Sequence, residues 1–550
     1  MTTKVNLMMS KPEMLESFEL FETIKKAKEE LGFTLLLDIT AVDNLHKSHP
    51  STSRFELIYI LRHEAFKETI IYKVALKAEA LEVDSIASLF SSAEWAEREV
   101  YDQYGIQFKG HKMLKRLLNH NEFVGHPLRK DYEITKGQYC TTSQDLMDEM
   151  RPLLDERGLD MNRDDLMVVN LGPSHPASHG TIRTLAALDG ETIVAAASEI
   201  GYLHRGFEKS CENHNYNQII PYTDRLNYCS ALMNNIAFAK TVEEMMGITL
   251  PERGIYIRVI LAELSRVIDH LVCLAAGLLD MGGQTNYWYL FNPRNDAYDF
   301  LSKLTGARLT NSYMRIGGMT HDLYEGWESD LEDVLTKVDF GITETLKMIT
   351  HNRIYNDRIA DVSPVSAEQA INYGFTGPNL RASGVAYDMR FATPYYHYET
   401  FDFDMVVGSV GDTYDRMMVR FEEMNESMKI IRQAVKRLPD GPISVEDRRI
   451  TMPTKDCVYG GIEGMMNQFK LVIDGVQVPK GEHYGSFEAA NGELGFFIVS
   501  DGSGTPYKVK VRPPSFYHMA AYPKIIEKYQ VADAIMTLGS LNIIAGEMDR

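Results

Sequence analysis

Two histidines four residues apart are the most informative feature of this 550-residue chain. His175 and His179 lie in the segment NLGPSHPASHG, residues 170–180, which also carries Pro173 and Pro176. Each proline fixes φ and lacks an N–H, so the segment can form neither a regular helix nor an interior strand. We therefore expect the imidazoles on a shaped loop, where they could exchange protons near neutral pH. On this segment alone, a chemical site and a pair of hydrogen-bonded turn histidines remain alternatives.

The elements that must position these histidines fall into two predicted domains. Residues 1–135 are predicted to form a small α+β domain, and residues 136–166 a linker with one helix. Residues 167–550 should form a mostly helical domain with β elements at its start and end. At this length a single ordinary core is not expected.

Periodicity predicts the elements inside these domains. The predicted helices cover 14–31, 83–90, 94–104, 206–219, 224–246, 254–280, 294–306, 327–351 and 412–437. The predicted strands cover 54–62, 69–76, 166–171, 181–189, 191–199, 467–473, 495–500 and 507–512. The stretch 254–280 is apolar on most sides, which predicts a helix buried in a bundle.

Composition and charge exclude several classes of function. The net charge of −20 argues against a general nucleic-acid binder, which needs a basic face. The longest apolar run, 255–281, is interrupted by five ionisable residues, and the start of the chain lacks the apolar stretch of a signal peptide. None of the five cysteines forms a Cys-x-x-Cys pair, so a zinc or iron–sulfur site within this chain is not expected.

Further motifs, in the same order along the chain, resemble the large catalytic subunit of respiratory complex I, the 49-kDa or D subunit. They are IGYLHRGFEK (200–209), PYTDRLNY (221–228), GPNLRASG (377–384), FDFD (401–404), VSDGS (499–503) and GEMDR (546–550). Upstream, WAEREVYDQYGI (95–106) and GHPLRKDY (125–132) resemble the 30-kDa or C subunit. Because the blocks cover nearly the whole chain, it resembles a fused C/D subunit of an NADH–quinone oxidoreductase, whose D part shares the fold of the nickel–iron hydrogenase large subunit.

The resemblance implies where a quinone would be reduced. By position within the matched motifs, His179 and Tyr228 correspond to the quinone-contacting residues, and Asp280 to the acid that partners the histidine. Both His and Tyr donate hydrogen bonds, and a carboxylate raises the pKa of a nearby imidazole. Arg205 corresponds to an arginine near the terminal iron–sulfur cluster. The ordinary alternatives are core or helix-end positions for Tyr228 and Asp280, and a surface ion pair for Arg205.

The resemblance also implies what lies outside the chain. It predicts no cofactor or metal bound by this chain alone, with quinone as substrate, a 4Fe–4S cluster on the neighbouring B subunit, and NADH and FMN on other subunits. The expected partners are the B and I subunits and the H and A membrane subunits, through which the chain would contact the membrane. The expected location is the cytoplasmic side of the bacterial inner membrane, within a proton-translocating complex.

The closest rival function is that of a membrane-bound nickel–iron hydrogenase large subunit. Such enzymes hold their metals with two Cys-x-x-Cys pairs, which should fall at Asn227 and Ser230 and at Ile544 and Glu547. The four thiolates are absent, so hydrogenase activity is not expected.

Two more functional hypotheses remain open on the sequence. The electron donor could be ferredoxin or another carrier instead of NADH. The chain could also be a scaffold without a chemical part, and the charged segments 94–102 and 129–131 predict a surface that docks another subunit.

One departure from the family pattern generates a prediction. Many members have a histidine two residues after Gly-Ala-Arg, near the terminal cluster, where this chain has Thr310. If that histidine couples the cluster potential to pH, the coupling should be weaker in this protein. A redox titration of the assembled complex at several pH values measures it, and a steep pH slope of the cluster potential would contradict the prediction.

Overall fold

The computed structural model shows a chain of mixed helices and strands, which confirms the predicted α+β class. It describes residues 8–9, 12–46, 53–139, 146–160, 166–175, 177 and 179–550. Part of the predicted linker lies outside the described residues, and the boundaries at 135 and 166 stay predictions.

The first domain is built on a five-stranded sheet. Its elements are β1 (Met8–Met9), β2 (Glu13–Leu15), α1 (Leu20–Glu29), β3 (Leu35–Asp43), β4 (Phe55–Arg62), β5 (Glu68–Leu76), β6 (Glu82–Asp84), α2 (Ala93–Tyr104) and β7 (Gln107–Lys109). Strands β3, β4 and β5 are antiparallel neighbours, whereas β1 and β2 both run parallel to β5. The predicted strands 54–62 and 69–76 and the predicted helix 94–104 are thereby confirmed.

Two helix predictions in this domain are wrong in part. The helix predicted over 14–31 begins only at Leu20, because Met14 and Leu15 pair with β5 as part of β2, and Phe18 in the turn that follows is exposed. The helix predicted over 83–90 is absent, because Val83 pairs with Phe108 in a small parallel sheet.

The remainder of the chain forms the larger, mostly helical part. Its elements are α3 (Met147–Glu156), β8 (Leu166–Leu171), β9 (Ser174–His175), β10 (Gly180–Thr181), β11 (Arg183–Asp189), β12 (Thr192–Glu199), α4 (Phe207–Cys211), α5 (Tyr216–Thr223), α6 (Ala231–Met246), α7 (Glu252–Asp280), α8 (Gln284–Thr305), β13 (Met314–Arg315), β14 (Gly318–Met319), α9 (Trp327–Ile349), α10 (Arg353–Ile359), α11 (Ala367–Asn372), α12 (Gly377–Ala382), α13 (Met389–Ala392), α14 (Thr413–Arg437), α15 (Lys455–Gly460), α16 (Ile462–Ile473), β15 (Gly481–Ala489), β16 (Gly492–Ser500), β17 (Lys508–Arg512), α17 (Pro514–Ile525), α18 (Val531–Leu541) and α19 (Ala545–Asp549). Strands β8, β11 and β12 form one antiparallel sheet, and β15, β16 and β17 form another. Helix α7 packs against α6, α8, α14 and α18.

The predicted bundle helix is confirmed as α7, but the second domain also contains a wrong prediction. Residues 467–473 belong to the helix α16, not to a strand. An apolar run of seven residues does not by itself distinguish a strand from a segment of helix. The predicted helix 206–219 is divided into α4 and α5, because Asn215 caps a new helix through its side chain.

Charged side chains join the two predicted domains. Glu99 of α2 accepts hydrogen bonds from Lys510 of β17 and forms an ion pair with Arg550. Lys130 pairs with Glu212 at 2.9 Å between Nζ and Oε1. The charged segments predicted to dock another subunit therefore contact, through these residues, the second domain of the same chain.

We expect Glu99→Gln to lower the free energy of unfolding of the full chain by about 3 kcal/mol, because it leaves two cations buried with less compensation. Urea titration followed by circular dichroism measures the change. The matched control is Glu332→Gln, which removes the acid of an exposed ion pair with Arg432 and should change stability by less than about 1 kcal/mol. Equal small effects of both substitutions would contradict the structural role given to Glu99.

Candidate functional site

The predicted histidine loop is a tight hairpin in the structure. Strands β9 and β10 pair antiparallel, with His175 opposite Gly180, and His179 immediately precedes β10 with φ of +42°. Gly180 has φ of +151°, and a Cβ there would lie 2.5 Å from the Cβ of Ala545. The hairpin thus packs directly on α19, which requires glycine at this position. Pro176 of the motif lies outside the described residues.

Tyr228 is brought to the hairpin by the short 3₁₀ turn Tyr228–Ser230 between α5 and α6. Asn227 caps this turn, because its Oδ1 accepts a hydrogen bond from the main-chain N–H of Cys229 at 3.0 Å. The Tyr228 hydroxyl lies 3.1 Å from Nδ1 of His179. The two residues predicted to contact quinone are therefore hydrogen-bonded to each other, and both are half-buried.

Burial controls the protonation of this pair. It lowers the pKa of the His179 imidazole; the charge of Asp269 opposes that shift, and the charge of Arg294 adds to it. Burial also raises the pKa of the Tyr228 hydroxyl, an effect that Arg294 opposes. At neutral pH the pair therefore consists of a neutral phenol and a mostly neutral imidazole.

Asp280 is the last residue of α7 and is exposed. The Asp280 carboxylate lies beside Gly539 of α18: its Oδ2 is 3.7 Å from the position that a Cβ added to this glycine would occupy. Burial lowers the pKa of His179, and the carboxylate whose charge opposes that shift belongs to Asp269. The predicted partnership of Asp280 with His179 stays a prediction.

Asp269 is the residue that the sequence interpretation missed. It is buried in α7, its Oδ2 accepts a hydrogen bond from Nδ2 of Asn227 at 2.6 Å, and its Oδ1 accepts one from Nδ2 of Asn542 at 2.7 Å. It therefore connects α7 to the residue preceding Tyr228 and to the segment before α19. The sequence offered one indication: eleven residues are about three helical turns, so Asp269 and Asp280 share a face of the helix.

Arg205 lies on the surface beside α5. Its Nη2 donates a hydrogen bond to the main-chain oxygen of Tyr222 at 2.6 Å, and its guanidinium lies over the ring of Phe207. Burial and the neighbouring Arg225 lower its pKa. Arg205 forms no ion pair with an acidic side chain among the described residues; its hydrogen-bond acceptor is the main-chain carbonyl of Tyr222.

Thr310 has φ of +52°, in the left-handed region that a β-branched residue rarely adopts. Arg308, two residues before Thr310, forms an ion pair with Asp299 on the surface. The proximity of Arg205 and Thr310 to a partner's cluster stays a prediction.

The positions at which a hydrogenase would hold its metals converge in the structure. Asn227 of the first pair binds the carboxylate of Asp269, which also binds Asn542, two residues before Ile544 of the second pair. Ile544 itself packs in one apolar cluster with Tyr228 and Cys229. Among the described residues, no group of three or more His, Cys, Asp or Glu is arranged to hold a metal ion. None of the described helices has the length and apolar character needed to cross a bilayer.

Comparison with known proteins assigns the chain to one family. The family model of the respiratory-chain NADH dehydrogenase 49 Kd subunit matches residues 280–550, and that of the 30 Kd subunit matches residues 14–138. The C/D subunit of the NADH-quinone oxidoreductase of Bdellovibrio bacteriovorus is 47% identical over 527 residues, which are 95% of this chain and 92% of the relative. The C/D 2 subunit of the same enzyme from Aquifex aeolicus is 38% identical over 551 residues, with 96% and 93% covered.

The D part is also matched by relatives that lack the fusion. The D subunit of the NADH-quinone oxidoreductase of Pelobacter propionicus is 52% identical over 384 residues, which are 70% of this chain and 95% of the relative. The chain therefore belongs to the family of fused C/D subunits of NADH-quinone oxidoreductase, joins both subunit types in one polypeptide, and works in that enzyme together with the other subunits of complex I.

Proposed function

We propose that this chain forms the quinone-reducing site of its complex, with His179 and Tyr228 contacting the quinone headgroup. The observation that carries the proposal is the 3.1 Å contact between the Tyr228 hydroxyl and Nδ1 of His179, formed by two segments 49 residues apart.

The pair suits the chemistry of quinone reduction, which takes two electrons and two protons. A phenol whose pKa is raised keeps its proton until charge develops on the quinone oxygen, and it also offers an apolar ring to a lipid-like substrate. The imidazole can hydrogen-bond to the headgroup and transfer a proton when it is charged. A proton donor placed in this way typically accelerates a reaction by about 10²–10⁴-fold.

The proposal includes the groups that other subunits supply. Electrons would reach quinone from a terminal 4Fe–4S cluster on the B subunit, near Arg205, while NADH and FMN bind elsewhere in the complex. The I subunit and the H and A membrane subunits would complete the assembly at the cytoplasmic face of the bacterial inner membrane, where reduction is coupled to proton translocation. These assignments rest on the family resemblance, and ferredoxin or another carrier remains an alternative donor.

A hydrogenase function is disfavoured by the composition of the converging segments. Asn227, Ser230, Ile544 and Glu547 are all buried, and none offers the thiolate that a nickel–iron centre requires. We infer that the former metal pocket now borders the quinone site.

The scaffold alternative is tested by removing single functional groups. Tyr228→Phe deletes only a hydroxyl and His179→Ala deletes the imidazole; each should lower quinone reduction by the assembled complex by about 10²-fold. The control is Tyr355→Phe, a buried tyrosine whose hydroxyl donates a hydrogen bond to the sulfur of Met417 and which should leave the rate unchanged. Full activity of both site variants in an intact complex would establish the scaffold role instead.

The pH dependence of quinone reduction follows from the charges around His179. If the imidazole must be protonated to donate, the rate falls as pH rises through its pKa, which burial places below the ordinary value of about 6.5. Arg294→Gln removes a cation that lowers this pKa, so the falling limb of the rate profile should move to higher pH. Arg432→Gln removes an exposed cation on α14 and should leave the profile in place. A limb that does not move in Arg294→Gln would show that His179 is not the titrating donor.

A further inference from the structure

Helix α16 carries an apolar stripe that faces solvent. Its members follow the spacing i, i+3, i+4, i+7, i+10 and i+11, so at about 100° per residue they occupy an arc of about 120° around the helix axis. Each is between 44% and 76% exposed. We call them the α16 stripe; they are Ile462, Met465, Met466, Phe469, Val472 and Ile473.

The same spacing is buried elsewhere in this chain. In α9 the side chains at i, i+3, i+4 and i+7 are each at most 4% exposed, and they are Leu331, Val334, Leu335 and Val338. Helix α9 packs against α8 and α14. A stripe of this width is the face that a helix ordinarily buries against other elements. The α16 stripe therefore has the form of a helix face without its packing partner.

Helix α16 is attached to its own chain by the opposite side. Leu471, which lies about 180° from Ile462 around the helix axis, is the one buried residue of α16, all of whose residues are described. Gly464 lies close to α15, because a Cβ added to it would be 2.0 Å from the main-chain oxygen of Cys457. Helix α15 itself buries no residue. A helix of 12 residues with so little packing is marginal in water, so a partner on the stripe would stabilise it.

Open space separates α16 from the body of the domain. One cavity of about 780 Å³ lies between α16 and the turn that follows α6, and another of about 1020 Å³ lies between α15, α16 and the segment 442–454. Both are lined by Val445 and Asn467. The helix thus projects from the domain, and the stripe is accessible to a large partner.

The size of the stripe is that of a protein interface. At ordinary side-chain sizes it exposes roughly 700 Å², more than the largest apolar patch of a typical monomer, which is about 300–600 Å². One side of a standard protein–protein interface buries about 800 Å². The stripe supplies most of that area, and Tyr459 of α15, which precedes it in the chain, is 87% exposed.

The charges beside the stripe favour a protein partner over a lipid surface. The stripe is bordered on α16 by one acid and one base, Glu463 and Lys470, and Glu463 forms an ion pair with Arg448 at 3.2 Å. A helix that binds anionic lipid has a polar face rich in Lys and Arg instead. None of the described residues of either domain covers the stripe, and the chain works with the other subunits of complex I.

We propose that the α16 stripe is the docking site of another subunit of the complex, which covers it with the apolar face of a helix. Helix against helix is the arrangement that α9 shows for the same spacing. Phe469 lies at the middle of the arc and is the main anchor, because aromatic side chains at the centre of an interface are the usual hot spots. The inference does not depend on the quinone chemistry proposed for His179 and Tyr228.

The first experiment measures whether the stripe controls entry into the complex. A tagged Phe469→Asp chain is expressed beside the unchanged chain, and the ratio of the two is measured in the purified complex. We expect the variant to be about 30-fold under-represented, which is the effect of removing one interface hot spot.

The matched control is Phe340→Asp. Phe340 is 59% exposed and Phe469 is 58% exposed, both on long helices, but Phe340 lies outside the buried stripe of α9. The control chain should enter the complex as readily as the unchanged chain. Urea titration of the free chains should give the same unfolding curve for both variants, because both side chains are exposed. Equal entry of Phe469→Asp and the unchanged chain, or an equal loss for both variants, would overturn the proposal.

Photocross-linking identifies what covers the stripe. Replacing Phe469 by p-benzoylphenylalanine keeps an apolar aromatic side chain, so the complex should assemble, and this result decides alone if Phe469→Asp unfolds the free chain. After irradiation of the assembled complex, mass spectrometry should find an adduct with a helical peptide of another subunit. An adduct with a second copy of this chain, with a segment of the same chain or with lipid would contradict the proposal, as would the absence of any adduct.

Discussion

The structure of the larger domain depends on how the ionisable residues of α7 are compensated within an apolar core. A buried charge without a partner is strongly destabilising, so each one requires a neighbour at a defined distance. The compensated contacts are Arg258 with Glu243, Arg266 and Arg390 with Glu263, His270 with Glu423, and Asp269 with Asn227 and Asn542. They fix α6, α14, the 3₁₀ turn at Tyr228 and the segment before α19 around one helix. The place of each ionisable residue along α7 therefore determines which neighbouring element is held beside it.

Asp269 differs from the other buried charges of α7 because its partners are neutral. The carboxamides of Asn227 and Asn542 satisfy its oxygens but do not cancel its charge, whereas Glu263 has two guanidiniums. Its electrostatic influence therefore extends to its surroundings, where it opposes the lowering of the His179 pKa by burial and adds to the raising of the Glu547 pKa by burial. The ion-paired residues of α7 mainly position neighbouring helices, whereas the charge of Asp269 shifts the pKa of the groups around it.

Much of the fold could be predicted from the sequence, and the motifs singled out the two residues whose side chains meet in the candidate site. The motif order located His179 and Tyr228, and the structure brings their side chains to 3.1 Å. Asp269 could not be found in this way, because its importance comes from Asn227 and Asn542, which are 42 and 273 residues distant. The strand prediction for 467–473 was wrong for a related reason: the hydrophobic pattern of a short segment does not specify which elements it will pack against. Spacing along the chain predicts periodic elements, whereas compensation of buried charge is a property of the assembled core.

The first domain contributes to the site through α19. Asp549 accepts hydrogen bonds from the main-chain N–H groups of Gly201 and Leu203 at 3.0 and 2.8 Å, which ties α19 to the motif preceding α4. The next residue, Arg550, lies over the ring of Phe516 and pairs with Glu99 of the first domain. Because α19 has only five residues, it cannot hold its position by its own hydrogen bonds. The same short helix contacts Gly180 of the hairpin, so an ion pair made by the first domain restrains the element on which the His179 hairpin rests.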